Sequence, residues 1–148
     1  MNYSEINTNT YRKILPEIEK NSINIQWNDE WYDGPISGML IYNNKQFRFE
    51  KIEEATENQE ANEGWFRRLI ILELDELQLK NEYYWHDRFL KEVDAFKIDI
   101  TKLSKEELND INNLNEAFTK KVQPYFDDFK KTYELFINNN KVIGWFWI

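Results

Sequence analysis

The chain has 148 residues, with 27 Asp and Glu against 19 Lys and Arg, one histidine and no cysteine, for a formal charge of −8. A hydrophobic share of 41%, with 16% aromatic, is too rich for a disordered chain, and no apolar run approaches the roughly 20 residues that span a bilayer. Without cysteine there are no disulfides, Cys-ligated zinc sites or thiol nucleophiles, and the negative charge opposes binding to nucleic acid, which draws on Lys and Arg.

The length suits one α+β domain over residues 1–148, able to bury roughly two-thirds of its unfolded surface. The opening MNYSEINTNTYRKI lacks a charged stretch followed by an apolar one, so a cytoplasmic product is expected. Tyr11 to Lys20 suits a short helix, capped by Thr8 or Asn9, that Pro16 breaks or restarts. In Ser22 to Asn28, Ile23, Ile25 and Trp27 alternate with polar residues as in a strand wet on one face.

The stretch Trp31 to Ile52, WYDGPISGMLIYNNKQFRFEKI, reads as a turn, a strand, a two-residue turn and a second strand. Asp33-Gly34-Pro35 forces a change of direction, and Asn43-Asn44 tolerates the positive φ of a tight hairpin. Phe47 and Phe49 alternate with Gln46, Arg48 and Glu50. The next segment, EEATENQEANE from Glu53 to Glu63, has almost no apolar residue and is expected to be an exposed acidic loop. It is either a solvated connection or an arm that docks on a basic partner.

Arg67 to Leu74, RRLIILEL, has the length and continuity of a strand covered on both faces. Asp75 can cap a helix reaching about Phe96, whose inward stripe is Leu79, Tyr83, His86, Leu90 and Val93. Ser104 and Glu107 match a capping box, and Leu108, Ile111, Leu114, Phe118 and Val122 continue one apolar stripe until Pro124 interrupts or restarts the helix. Tyr133, Leu135 and Ile137, a turn at Asn138 to Asn140, and Val142 to Ile148 read as a last hairpin. The expected fold is a single, mainly antiparallel sheet of five to six strands packed against two or three helices, two of them inserted between the fourth and fifth strands.

Gly34, Gly38, Gly64 and Gly144 are too scattered for a phosphate-binding loop, one histidine excludes multi-histidine metal sites, and no acidic pair has ordered ligand spacing. No cofactor or metal is expected. His86, flanked by Trp85 and Arg88, has two readings. It is a proton-transfer group in a pocket between sheet and helices, as in a small-molecule binder or hydrolase, or a buried side chain whose nitrogens bond to neighbours. Six tryptophans are more than a small core needs, and Trp31, Tyr32 and Asp33 place two rings and a charge on a turn.

In general character, being small, acidic, aromatic-rich and cysteine-free, the chain resembles bacterial immunity proteins that neutralise secreted toxins, and small phage-encoded inhibitors. That likeness is one of composition and carries over no residue. It implies a stoichiometric binding protein that meets a basic partner, a toxin or host factor, through Trp31, Tyr32, Asp33, Glu53, Glu54 and Glu57. Neither nucleic acid nor membrane is an expected partner, and self-association through the apolar terminal hairpin is a further expectation.

Overall fold

The computed structural model describes residues 1–31, 34–55, 66–97 and 100–148. The chain divides into two compact units, a sheet unit of Met1–Asp75 with Phe136–Ile148 and a helical unit of Glu76–Leu135. No helix among the described residues is long and apolar enough to cross a membrane.

The fold is α+β, with one five-stranded antiparallel sheet whose strands follow chain order: β1 (Asn24–Trp31), β2 (Pro35–Tyr42), β3 (Lys45–Ala55), β4 (Phe66–Leu72) and β5 (Val142–Trp147). The β2–β3 hairpin turns at Asn43 and Asn44 with φ of 48° and 59°, as their short amide side chains allow. β4 is buried along both faces. Leu69 and Ile71 join Leu40, Phe47, Phe49 and Phe146 on one side. Ile70 and Leu72 join Tyr11, Leu15, Val142 and Trp145 on the other. This is the two-sided burial expected of a continuous apolar run.

The short helix α1 (Tyr11–Ile14) stops at Leu15, because the residue before Pro16 is driven to extended backbone. Residues on either side of α1 run along the outer edge of β5. The Val142 N–H donates to the Met1 carbonyl at 2.9 Å, the Trp145 N–H to Pro16 at 3.1 Å, and the Ile18 N–H to Trp145 at 2.8 Å. This edge was expected to pair with Tyr133 to Ile137, which do not form a strand. Tyr133 instead caps the C-terminus of a helix, stacks on Phe129 with centroids 4.5 Å apart, and donates its hydroxyl to Glu82 at 2.7 Å.

The helical unit contains α2 (Glu76–Glu92), α3 (Lys105–Asn109) and α4 (Ile111–Thr132), which follow β4 and precede β5 in the chain. Its core is Trp85, Val93, Val122 and Tyr125, with Phe118, Phe129 and Tyr133 packed around them. The expected inward stripe of α2 is only partly right. Val93 is buried, but Leu90 is 44% exposed, and Glu82 and Trp85 are the deeply buried positions earlier in the helix. The face bearing Trp85 takes the core because burying the indole removes much apolar surface from water, and Glu82 on the same face accepts the Tyr133 hydroxyl. α4 continues through Pro124 despite the missing donor, with Val122 and Tyr125 both held in the core.

The capping box is formed. Ser104 Oγ accepts from the Glu107 N–H at 3.2 Å, and the Ser104 N–H donates to Glu107 at 3.4 Å. The expected single helix is nevertheless two, broken at Asp110, whose φ of −106° and ψ of 21° leave helical geometry. Ser104→Ala should cost about 1 kcal/mol. Because α3 buries no residue of its own, the loss should appear as faster amide exchange over Lys105–Asn109. Unchanged protection there would show that the cap does not hold this turn.

Candidate functional site

Strand β3 extends three residues beyond its expected end, so Glu53 and Glu54 are strand residues and the acidic stretch starts later than Glu53. A register shift between Lys51 and Glu53 inserts Ile52 and sets Glu53 opposite Arg68 and Glu54 opposite Arg67. The consecutive arginines that open β4 therefore each meet an acid. Arg68 Nη1 donates to Glu53 Oε1 at 2.8 Å, and Arg67 Nε donates to Glu54 Oε1 at 3.2 Å. On β3, Arg48 binds Glu50 at 2.6 Å and Asp29 of β1 at 2.7 Å.

These pairs form a belt that wraps both faces of the strand end: Arg68–Glu53 and Arg48–Glu50 lie on the face of Ile70 and Leu72, and Arg67–Glu54 lies on the face of Leu69 and Ile71. Arg48, Arg67 and Arg68 are only 5–9% exposed, while the side chains of Asp29, Glu50, Glu53 and Glu54 keep between 18 and 40%. In each pair the guanidinium is the more buried partner. Tyr11, fully buried, donates its hydroxyl to Glu53 at 2.7 Å. Burial would raise the Glu53 pKa, but the Tyr11 and Arg68 bonds outweigh it and hold the carboxyl below the ordinary range. Glu54 is held low by its bond from Lys51, then by Arg67. Glu50 goes the other way, because burial raises it by more than Arg48 lowers it. Burial and the adjacent Glu53 keep the Tyr11 phenol protonated.

The two segments expected to bind a partner converge on one end of the sheet. The backbone of Trp31 pairs with Pro35 at the tip of the β1–β2 hairpin, and a Cβ on Gly34 would stand 2.8 Å from Arg67 Nη1, so the tip rests on the arginine that holds Glu54. Tyr32, Asp33 and Glu57 lie outside the described residues, as does the Trp31 side chain. Glu53 and Glu54 correct the expectation of a free acidic loop, since the arginines facing them across the strand pair neutralise both. The belt as a whole balances, with Lys51, Arg48, Arg67 and Arg68 against Asp29, Glu50, Glu53 and Glu54. The same end carries Trp147, 53% exposed, in edge contact with Phe66 and bonded through its indole N–H to Glu17 at 3.0 Å. Beside the belt, Tyr3, Ile6, Thr8, Lys51 and Ile52 line a recess of about 320 Å³. Composition gave no hint of it, because Tyr3 and Thr8 reach β3 only through tertiary packing.

The second group of expected site residues, Trp85, His86 and Arg88, belongs to α2. The Arg88 guanidinium lies 4.9 Å from the Trp85 ring centroid and is bonded by Glu92, at 2.6 and 3.0 Å, and by Asp128 of α4. Those bonds to Glu92 and Asp128 raise its proton affinity further. His86 is half-buried and sits two positions before Arg88, roughly 200° round the helix from it. Trp85 and Arg88 are thus in contact at the helical core's margin, and His86 lies on a different side of the helix from Arg88. No group of three or more His, Cys, Asp or Glu side chains placed to hold a metal occurs among the described residues. No protein-family model matches the chain, and no characterised protein or solved structure is significantly similar to it.

Proposed function

We propose that the protein is a cytoplasmic binding module that docks on a basic protein partner through the end of the sheet formed by the β1–β2 tip, the last residues of β3 and Trp147, acting as a stoichiometric inhibitor of the immunity type. The observation that supports this reading is that the described parts of both segments, Trp31 with Gly34 and Glu53 with Glu54, lie at the same end of the sheet. A surface fixed before binding loses less side-chain freedom on association, and the belt supplies that fixity. The belt is itself neutral, so attraction for a basic partner is assigned to acids outside it in the sequence: Glu30, Asp33, Glu57, Glu60 and Glu63. Trp147 adds an exposed indole of the kind that anchors interfaces.

The test reverses charge outside the belt. Glu57, Glu60 and Glu63 changed together to Lys should leave thermal stability unaltered and weaken capture of the partner from lysate of the source cells at least about tenfold, mainly through slower association. Capture by the unmodified chain should fall steeply as salt rises, and capture by the variant should depend on salt far less. Equal capture by both chains at low salt would rule the reading out.

A further inference from the structure

The two edges of the sheet are protected differently. β1 breaks register with β2 at three places and carries Asp29 and Glu30, an irregular and charged edge that resists strand addition. β5, with the sequence VIGWFW, carries no charge, and its outer edge is covered by residues 1–18. The cover is discontinuous, antiparallel where Asn2 bridges Lys141 and parallel where Glu17 bridges Trp145. Between the two bridges, Tyr11 and Leu15 pack on Ile70, Leu72 and Trp145. Gly144 is shaped for this cover, since a Cβ there would stand 2.6 Å from Ile18 Cδ1 and 2.9 Å from the Pro16 carbonyl.

We propose that residues 1–18 are an exchangeable strap through which two copies of this chain complete each other's sheets. Lifting the strap without replacing it would expose Tyr11, Leu15 and Ile18 and leave the β5 edge unpaired, so the occupant must restore the same contacts. An identical strap from a second copy does so. The hinge favours the exchange. Glu19 and Ile23 already have extended backbone, with φ, ψ of −62°, 130° and −107°, 133°, and only the exposed turn Lys20–Ser22 between them must open. Opening it sacrifices local bonds alone: Ser22 N–H and Oγ to the Glu19 carbonyl at 2.9 and 2.6 Å, and Ile23 N–H to Lys20 at 3.1 Å. The monomer and the exchanged dimer then differ in the hinge and in the entropy of association, which concentration offsets.

The chain has no cysteine, so a reporter disulfide is unambiguous. Asn2→Cys with Lys141→Cys places a pair at bridged positions of strap and β5. Isotopically heavy and light chains are mixed, refolded and oxidised. With the hinge shortened by deleting Lys20 and Asn21, the strap cannot fold back, and most of the 2–141 disulfides should join a heavy chain to a light one or a like pair across a dimer of twice the mass. A monomer with an internal 2–141 bond would overturn the proposal. Should the shortened chain fail to fold, the full-length hinge refolded at rising concentration, up to about millimolar, decides the matter. The heavy-to-light 2–141 fraction should climb with concentration, and a fraction that stays at background overturns exchange.

Discussion

Trp85→Ala should unfold most of the helical unit while leaving the sheet in place. The indole, 5% exposed, makes edge contacts with Tyr84, Tyr125, Phe129 and Tyr133 at centroid distances of 5.2, 5.8, 5.1 and 6.2 Å. Truncating a buried tryptophan costs about 3–5 kcal/mol. A unit of this size holds roughly 3–9 kcal/mol in total at typical per-residue stability, so the loss is comparable with everything it has. Arg88 would keep Glu92 and Asp128 but lose the ring it lies on, and the stack of Tyr133 on Phe129 that positions the Tyr133 hydroxyl toward buried Glu82 would lose its neighbour. Neither sheet core contains Trp85. Circular dichroism should therefore show a large drop in helical signal, with the β-sheet amides still protected from exchange. Trp85→Phe, which keeps an aromatic ring, should recover most of the helix. A full helical signal and a melting temperature within about 2 °C of the parent in Trp85→Ala would contradict the packing described.

What could be read from sequence was local. The Asn43-Asn44 hairpin, the continuous run of β4 and the Ser104 capping box are each set by residues within a few positions of one another, and each stands in the structure. Beyond local breaks such as those at Leu15 and Asp110, the failures are long-range. Tyr133 to Ile137 alternates like a strand, but the partner that claims the Tyr133 hydroxyl is Glu82, 51 residues away. Residues 1–18 carry no strand pattern, and only their bonds to residues such as Val142 and Trp145, more than 120 residues on, make them part of the sheet edge. On α2, counting apolar spacing favoured His86 and Leu90 and missed the stripe of Glu82 and Trp85, because a buried glutamate is invisible until its partner is known. The strand end at Glu53 and Glu54 had a usable clue. Two arginines open a strand that is otherwise apolar, and buried arginines require acids opposite them; Glu53-Glu54 ends the preceding strand and meets that need.

Arg68→Met should destabilise the sheet unit by about 2–3 kcal/mol near neutral pH. Removing one partner of a fully buried pair costs about 3–5 kcal/mol, and Glu53, 23% exposed, retains some water, which lowers the figure. Methionine keeps most of the hydrophobic volume against Phe66, so the lost cation, 4.7 Å from that ring and 2.8 Å from Glu53, is the main change. The pH dependence identifies the cause. Glu53 has a lowered pKa in the folded chain, so its contribution is present above the ordinary carboxyl value of 4.5 and is lost as pH falls below it. Without Arg68 the burial of Glu53 has less to oppose it, and the variant should lose less stability on acidification than the parent does. The two chains should thus approach each other in stability below pH 4.5. Glu50, with its raised pKa, works in the opposite sense, favouring the fold less as pH rises through 4.5, but it does so equally in both chains and cancels in the difference. A double-mutant cycle with Glu53→Gln separates the pair from the rest of the belt: Glu53→Gln should be costly in the parent and nearly neutral beside Arg68→Met. If the two substitutions instead add independently at pH 7, the arginine does not hold the carboxylate, and the fixity on which docking at this end of the sheet rests is lost with it.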